Sequence, residues 1–135
     1  MVPARPATPA AYPRLQQGWV FRGESRDATG HEQKFFRPMV VVSVTRINHG
    51  EIVVCVPLTS IKPKHASIAM PSHNARIPAS DILPMSTEPP PPKDSIALCE
   101  QVCGCDRTRL IHHWATLTPE ALEAVKIGLQ RVFGF

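Results

Sequence analysis

Long apolar runs are missing from this 135-residue chain. A membrane-crossing helix needs roughly 20 consecutive apolar residues, and no stretch approaches that length, so a bilayer-spanning helix is excluded. The opening residues Met1-Val2-Pro3-Ala4-Arg5-Pro6 hold no apolar core that could act as a secretory signal. The expected location is therefore the cytoplasm. Cysteine is sparse, with four residues and no Cys-x-x-Cys pair. In a cytoplasmic protein that pattern predicts free thiols rather than a disulfide framework. No internal repeat is visible.

What is present fits one globular domain. Hydrophobic residues make up 43% of the chain and charged residues 19%, enough for a modest core at this length. The formal net charge is +4, which leans towards an anionic partner such as nucleic acid without specifying one. Proline is abundant at 15 residues, and its distribution divides the chain. Pro3, Pro6, Pro9 and Pro13 lie among Ala and Arg, so residues 1–17 read as a disordered tail. The folded domain is expected over 18–135.

Within that domain the pattern is mainly β. Trp19-Val20-Phe21 reads as a short strand. Arg26 to Lys34 is polar, contains Gly30, and reads as a loop. Met39 to Val44 is β-branched along both faces and suits a strand buried on each side. Asn48-His49-Gly50 then marks a hairpin turn, with Gly50 supplying the positive φ. Glu51 to Val56 returns as a strand ended by Pro57. Residues 66–70 could add another. Residues 71–93 have little pattern, include the Pro89–Pro92 run, and read as an unusually long loop. Ser95 to Val102 reads as a strand, and Arg109-Leu110-Ile111 as one more. The C-terminus is a helix: Thr118 caps it, Pro119 opens it, Glu120 and Glu123 suit its positive end, and Gly134 stops it. Leu122, Val125, Leu129 and Val132 form its apolar stripe. Short strands separated by turns, with one covering helix, favour a small barrel over a sandwich.

Three clusters could carry chemistry. Gly30-His31-Glu32-Gln33, followed by Arg37-Pro38, offers an imidazole, a carboxylate and a guanidinium on one loop. Metal-free RNA cleavage needs a base for the 2′-hydroxyl, a cation for the phosphoryl oxygens and an acid for the leaving oxygen. Arginine suits the phosphate because its fork binds two oxygens. From residue types alone, a solvated polar loop is the simpler reading. Pro57-Leu58-Thr59-Ser60 ends the hairpin, and its hydroxyls could bond a phosphate or base edge; a plain turn is the alternative. In Leu98-Cys99-Glu100-Gln101, alternation sets Glu100 opposite Cys99 and Gln101, where a carboxylate could accept from a base amino group. Cys99, Cys103 and Cys105 would share a face of an unbroken strand, with His112 and His113 nearby, which invites a zinc reading. The lack of a Cys-x-x-Cys pair and the interruption at Gly104 favour buried, reduced thiols instead. His49, His65 and His73 read as solvated, and Trp114 and Phe133 as core fillers.

In order and spacing, these segments resemble the PemK/Kid/MazF toxins of type II toxin–antitoxin systems, from about Gly18 to Gly134. The shared elements are Gly30-His31-Glu32-Gln33, Arg37-Pro38 opening a Val-rich strand, Val56-Pro57-Leu58-Thr59-Ser60, Cys99-Glu100-Gln101, Arg109-Leu110 and Leu117-Thr118-Pro119-Glu120. The loop is similar to the Kid branch. The resemblance implies an SH3-like barrel with a C-terminal helix, a homodimer, and an acidic antitoxin partner. It implies single-stranded RNA cleavage to 2′,3′-cyclic phosphate and 5′-hydroxyl ends, with no metal or other cofactor. By the same resemblance Arg37 stabilises the scissile phosphate and is a candidate proton donor, Thr59 helps bind that phosphate, Glu32 is a candidate base, and His31 lies near the RNA. Glu100 falls where Kid-like members carry aspartate, and Gln101 matches their glutamine; Gln33 and Ser60 join the RNA-binding set. Leu98 stands where Kid-like members have a second arginine, which leaves the base and acid assignments open. Phe35-Phe36, the tail and residues 71–93 depart from the family pattern. Two other readings stay open. One is a gyrase-binding toxin of the CcdB type, whose aromatic-Gly-apolar end Phe133-Gly134-Phe135 resembles. The other is a catalytically silent RNA- or protein-binding relative.

Overall fold

The computed structural model describes residues 15–23, 37–62 and 70–135. Among these lie eight strands: β1 (Trp19–Gly23), β2 (Arg37–Val41), β3 (Ile52–Ser60), β4 (Ala75–Ile77), β5 (Ile82–Pro84), β6 (Ser95–Ala97), β7 (Cys103–Asp106) and β8 (Leu110–Leu117). Helix α1 (Pro119–Phe133) follows. The strands join in the order β4-β6-β3-β2-β1-β8-β5, with β7 on β3. The outermost strands, β4 and β5, are linked through a single 3-10 turn at Ala79–Asp81. A short link between opposite edges curls the sheet back on itself, giving the nearly closed antiparallel barrel that the sequence pattern suggested.

Two apolar clusters hold the barrel. Val20, Val40, Val56, Leu58, Ile77, Ile82 and Leu117 meet Ala121 and Val125 of α1 in the larger one. Leu15, Phe21, Val41, Val53, Cys55 and Leu110 fill the other. Neighbours Val40 and Val41 are both fully buried yet belong to different clusters. The expectation of burial on both faces thus holds at the C-terminal end of β2. Gly18 binds three elements together: its N–H donates to the Val41 carbonyl at 2.8 Å, and its carbonyl accepts from Leu117 N–H at 2.8 Å. Its φ of +88° is one that a side chain would strain.

The β2–β3 connection departs from the expected tight hairpin. It makes a 3-10 turn at Ile47–His49, and Gly50 is extended, with φ −80°. The buried Asn48 side chain does the work that a left-handed glycine was expected to do. Its amide donates to the Leu15 carbonyl at 2.7 Å and the Ser43 carbonyl at 2.9 Å, and its Oδ1 accepts from Ser43 Oγ. Arg107, also buried, donates to the Asn48 carbonyl at 2.7 Å. A buried amide and guanidinium are tolerable because such bonds offset their desolvation.

Other boundaries move for identifiable reasons. Pro57 does not end β3, which runs on to Ser60. β3 pairs with β7 over Ile52–Cys55 and with β6 over Leu58–Ser60, so Pro57 falls in the gap between those ladders, where its missing N–H costs little. The expected strand over 95–102 is shorter, because Cys99–Gln101 forms a 3-10 turn before β7. Residues 71–93, expected as loop, contain β4 and β5. The expected loop over 26–34 and strand over 66–70 fall outside the described residues, except Met70. The helix matches its signals: Thr118 Oγ1 accepts from Ala121 N–H at 3.2 Å, and Gly134 takes the left-handed conformation with φ +76°. Phe133 does not fill the core as expected; it is 57% exposed and stacks on Phe135. Among the described residues, no helix is long and apolar enough to cross a membrane.

Candidate functional site

The site begins with register. Along β2 and β3, Met39 faces Pro57, Val40 faces Val56 and Val41 faces Cys55. Arg37 lies two residues before Met39 and Thr59 two residues after Pro57, so both sit towards the same end of the β2–β3 pair. On its other side Arg37 faces Gly23 of β1. Arg37 is exposed, at the point where β2 begins. Thr59 and Ser60 are half-buried at the far end of β3, opposite Ile96 and Ser95 of β6. Two hydroxyls and a guanidinium, distant in sequence, therefore gather at one rim of the barrel.

That rim holds a cleft of about 180 Å³. Pro38, Leu58, Pro90, Pro91 and Trp114 supply its apolar walls, and Thr59, Ser60, Lys93 and Ser95 its polar ones. The proline-rich segment is fixed there by two bonds from β8. Trp114 Nε1 donates to the Pro90 carbonyl at 3.2 Å, and the Trp114 carbonyl accepts from Met85 N–H at 3.0 Å. The Pro89–Pro90 peptide is cis. Further along, Asp94 accepts from Ala79 N–H at 2.8 Å, while Ser95 Oγ donates to the Lys93 carbonyl at 2.7 Å. Lys93 on one wall adds positive charge beside the hydroxyls. A concave, partly apolar seat with hydroxyls and cations suits a nucleotide: rings pack on proline and indole, and oxygens meet the polar groups.

The expected site residues separate into three groups. Thr59 and Ser60 line the cleft together, and Arg37 lies towards the same end of the β2–β3 pair without being one of the cleft's lining residues. Glu100 and Gln101 sit apart from the cleft walls, exposed on the 3-10 turn beside α1; Glu100 pairs there with His73 at 3.3 Å. The alternation argument for Glu100 does not apply, because that segment is a turn rather than a strand. His31, Glu32 and Gln33, with Phe35-Phe36, lie outside the described residues. The sequence reading missed Lys93, Pro90 and Pro91 as cleft walls, and Trp114 was taken for core alone. The proline run was the available signal, since so stiff a segment can build a wall.

Cys99 does not share a face with Cys103 and Cys105, since it lies on the 3-10 turn; β7 runs unbroken through Gly104, and of the thiols expected to be buried Cys103 is exposed and Cys105 half-buried. Cys99 is buried against α1 and its thiol points to the Val125 carbonyl. Cys55 takes its place beside Cys103 and Cys105.

The comparisons bear on the fold and the family. The family of PemK-like, MazF-like toxins of type II toxin–antitoxin systems matches residues 16–133. No curated protein matches the chain by sequence. Among solved structures, an endoribonuclease from a mycobacterial species is 17% identical, covers 91% of this chain and 94% of its own, and superposes with a TM-score of 0.66. MazF from Deinococcus radiodurans is 18% identical over 92% of this chain and 100% of its own, with a TM-score of 0.63. A mycobacterial endoribonuclease solved with its cognate antitoxin is 16% identical, covering 89% and 95%, with a TM-score of 0.61. At these identities the structures speak for a shared fold, while the family match spans nearly the whole chain. The chain belongs to the family of PemK-like, MazF-like toxins of type II toxin–antitoxin systems.

Proposed function

We propose that this toxin is a metal-independent, sequence-selective endoribonuclease acting on single-stranded RNA in the cytoplasm. The observation that supports the reading is that Arg37, at the start of β2, lies towards the same end of the β2–β3 pair as Thr59 and Ser60, which line a cleft with Lys93 and Trp114. The ribose 2′-oxygen attacks phosphorus and the bond to the 5′-oxygen breaks, leaving a 2′,3′-cyclic phosphate and a 5′-hydroxyl. Arg37 stabilises the charge that builds on the phosphoryl oxygens, and Thr59 holds one of them through its hydroxyl. Glu32 or His31 takes the 2′-proton, and Arg37 is the candidate donor to the leaving oxygen. Ser60 and Gln33 bind flanking RNA, and Glu100 and Gln101 do so further along the surface. The folded domain includes Leu15, which the sequence pattern assigns to a tail but which packs into the core, and it works as a homodimer. An acidic antitoxin covers the basic rim; in support, a mycobacterial endoribonuclease of this fold forms a complex with its cognate antitoxin.

The test is to sequence the RNA ends made by purified protein, with and without EDTA. Cyclic-phosphate and 5′-hydroxyl ends at one recurring short sequence, unchanged by EDTA, are expected. Cutting that needs added metal overturns the mechanism. The exposed, stacked Phe133 and Phe135 favour a second reading as a gyrase-binding toxin; intact RNA with gyrase-dependent DNA breaks would support it.

A further inference from the structure

Strands β3 and β7 bring three of the four cysteines onto one face of the sheet. Cys55 stands opposite Cys103, and Val53 opposite Cys105. Alternation therefore points the Cys55, Cys103 and Cys105 side chains the same way. The sulfurs of Cys103 and Cys105 lie 3.8 Å apart. Cys55 is buried, Cys105 half-buried and Cys103 exposed, so the group grades from the core to solvent. Among the described residues, no three or more Cys, His, Asp or Glu are placed to hold a metal ion.

We propose that Cys103 and Cys105 are a modification site for hydroperoxides, oxidised reversibly to an intramolecular disulfide, with Cys55 as the positioning residue. This does not depend on the nuclease reading.

The electrostatics divide the roles. A Cys105 thiolate accepts a hydrogen bond from the Cys55 thiol, the largest influence on it, and another from Cys103; Arg109 adds positive charge. Together these outweigh its partial burial and hold Cys105 at about 6. Cys55 is pushed strongly upward by that same bond and by burial, so it remains a donor. Cys103 is held up to about 11, first by desolvation and then by the charge on Cys105. At neutral pH, Cys105 is thus the thiolate, the form that attacks peroxide.

The chemistry balances. Cys105 sulfur attacks one peroxide oxygen, the O–O bond breaks, and the departing hydroxide takes a proton to become water. Cys105 is then a sulfenic acid and has lost its negative charge, which removes one of the influences holding the Cys103 thiol up. Cys103 sulfur attacks Cys105 sulfur, the S–O bond breaks, and the oxygen leaves as a second water with the Cys103 proton. Two thiols are oxidised and one peroxide is reduced. Residues two apart in a strand have Cα atoms about 6.6 Å apart, at the upper limit of roughly 6.8 Å for a disulfide, so β7 must shorten locally to bring the Cβ atoms within about 4.5 Å. Gly104 between them gives the backbone the conformational freedom for that shortening.

The test treats the full-length protein with hydrogen peroxide, then alkylates and maps its cysteines by mass spectrometry. The peptide carrying both residues is expected to lose two hydrogens, and a thiol reductant is expected to restore them. In Cys103→Ser, a sulfenic acid at Cys105 is expected to be trapped by dimedone; in Cys105→Ser, Cys103 is expected to stay reduced. Alkylation of Cys105 in Cys103→Ser is expected to be half-maximal well below the usual thiol range, to shift upward in a Cys55→Ala background, and to return with Cys55→Ser. Buried Cys99 serves as the unreactive control. Full alkylation of both cysteines after peroxide, a bridge between two copies, or a Cys105 profile in the ordinary range near 8.5 would overturn the proposal.

Discussion

The indole N–H of Trp114 bonds the carbonyl of Pro90 at 3.2 Å, tying the proline-rich segment to the rim that carries Thr59 and Ser60. Trp114→Phe keeps most of the ring packing and removes the donor. One neutral hydrogen bond is worth about 1 kcal/mol, roughly a fivefold change in an equilibrium. The wall positions the substrate and takes no part in the bond changes, so KM for a cleaved oligonucleotide should rise about fivefold. kcat should stay within roughly twofold. Steady-state kinetics on a fluorogenic RNA checks this; a fall in kcat with KM unchanged would remove the wall from substrate binding.

Gly128 lies inside α1, where alanine is ordinarily the better helix former by about 1 kcal/mol. Here a Cβ would come within 2.6 Å of Cys99 Sγ and 2.6 Å of the His73 carbonyl. Overpacking costs about 1–3 kcal/mol, and a backbone carbonyl cannot swing aside as a side chain can. Gly128→Ala should therefore destabilise, by about 1 kcal/mol net. Urea unfolding would show a lower midpoint with an unchanged slope. A higher midpoint would mean that helix propensity wins.

The ring of His113 is stacked against Trp19 at 4.2 Å and Phe21 at 5.2 Å. Burial lowers its pKa from 6.5; a bond with the Ala115 backbone works the other way, and His112 adds to the lowering. The unfolded chain thus takes up this proton more readily than the folded one. The contribution to stability is complete above the unfolded value and is lost as pH falls through that value towards the folded one. Unfolding free energy should drop on acidification from about pH 7 to about pH 5. His113→Phe keeps a stacked ring and should flatten that part of the profile. An equal slope in both proteins would assign the effect elsewhere.

Local signals were the readable ones. Thr118, Pro119 and Gly134 marked the helix because caps and stops depend on a few adjacent residues. The valine-rich β2 and β3 were visible because burial on both faces leaves an apolar run. β4 and β5 were not, since three residues are too few to establish a period. The thiol group was hidden for a different reason. Cys55 and Cys103 meet through cross-strand register, which spacing along the chain does not reveal. At the site, Arg37 and Thr59 were legible through family resemblance, while Trp114 and Pro90 meet only through tertiary packing.

The nuclease reading stands on a positive charge next to a hydroxyl where phosphorus is attacked. Single-turnover cleavage of a defined RNA in EDTA, with wild-type protein and with Arg37→Ala and Arg37→Lys, tests that most directly. Arg37 is exposed, so the variants should fold normally. The alanine variant should cut at least about 100-fold more slowly. The lysine variant should recover part of the loss, since it restores charge without the fork. Cleavage by Arg37→Ala at the wild-type rate would contradict the account.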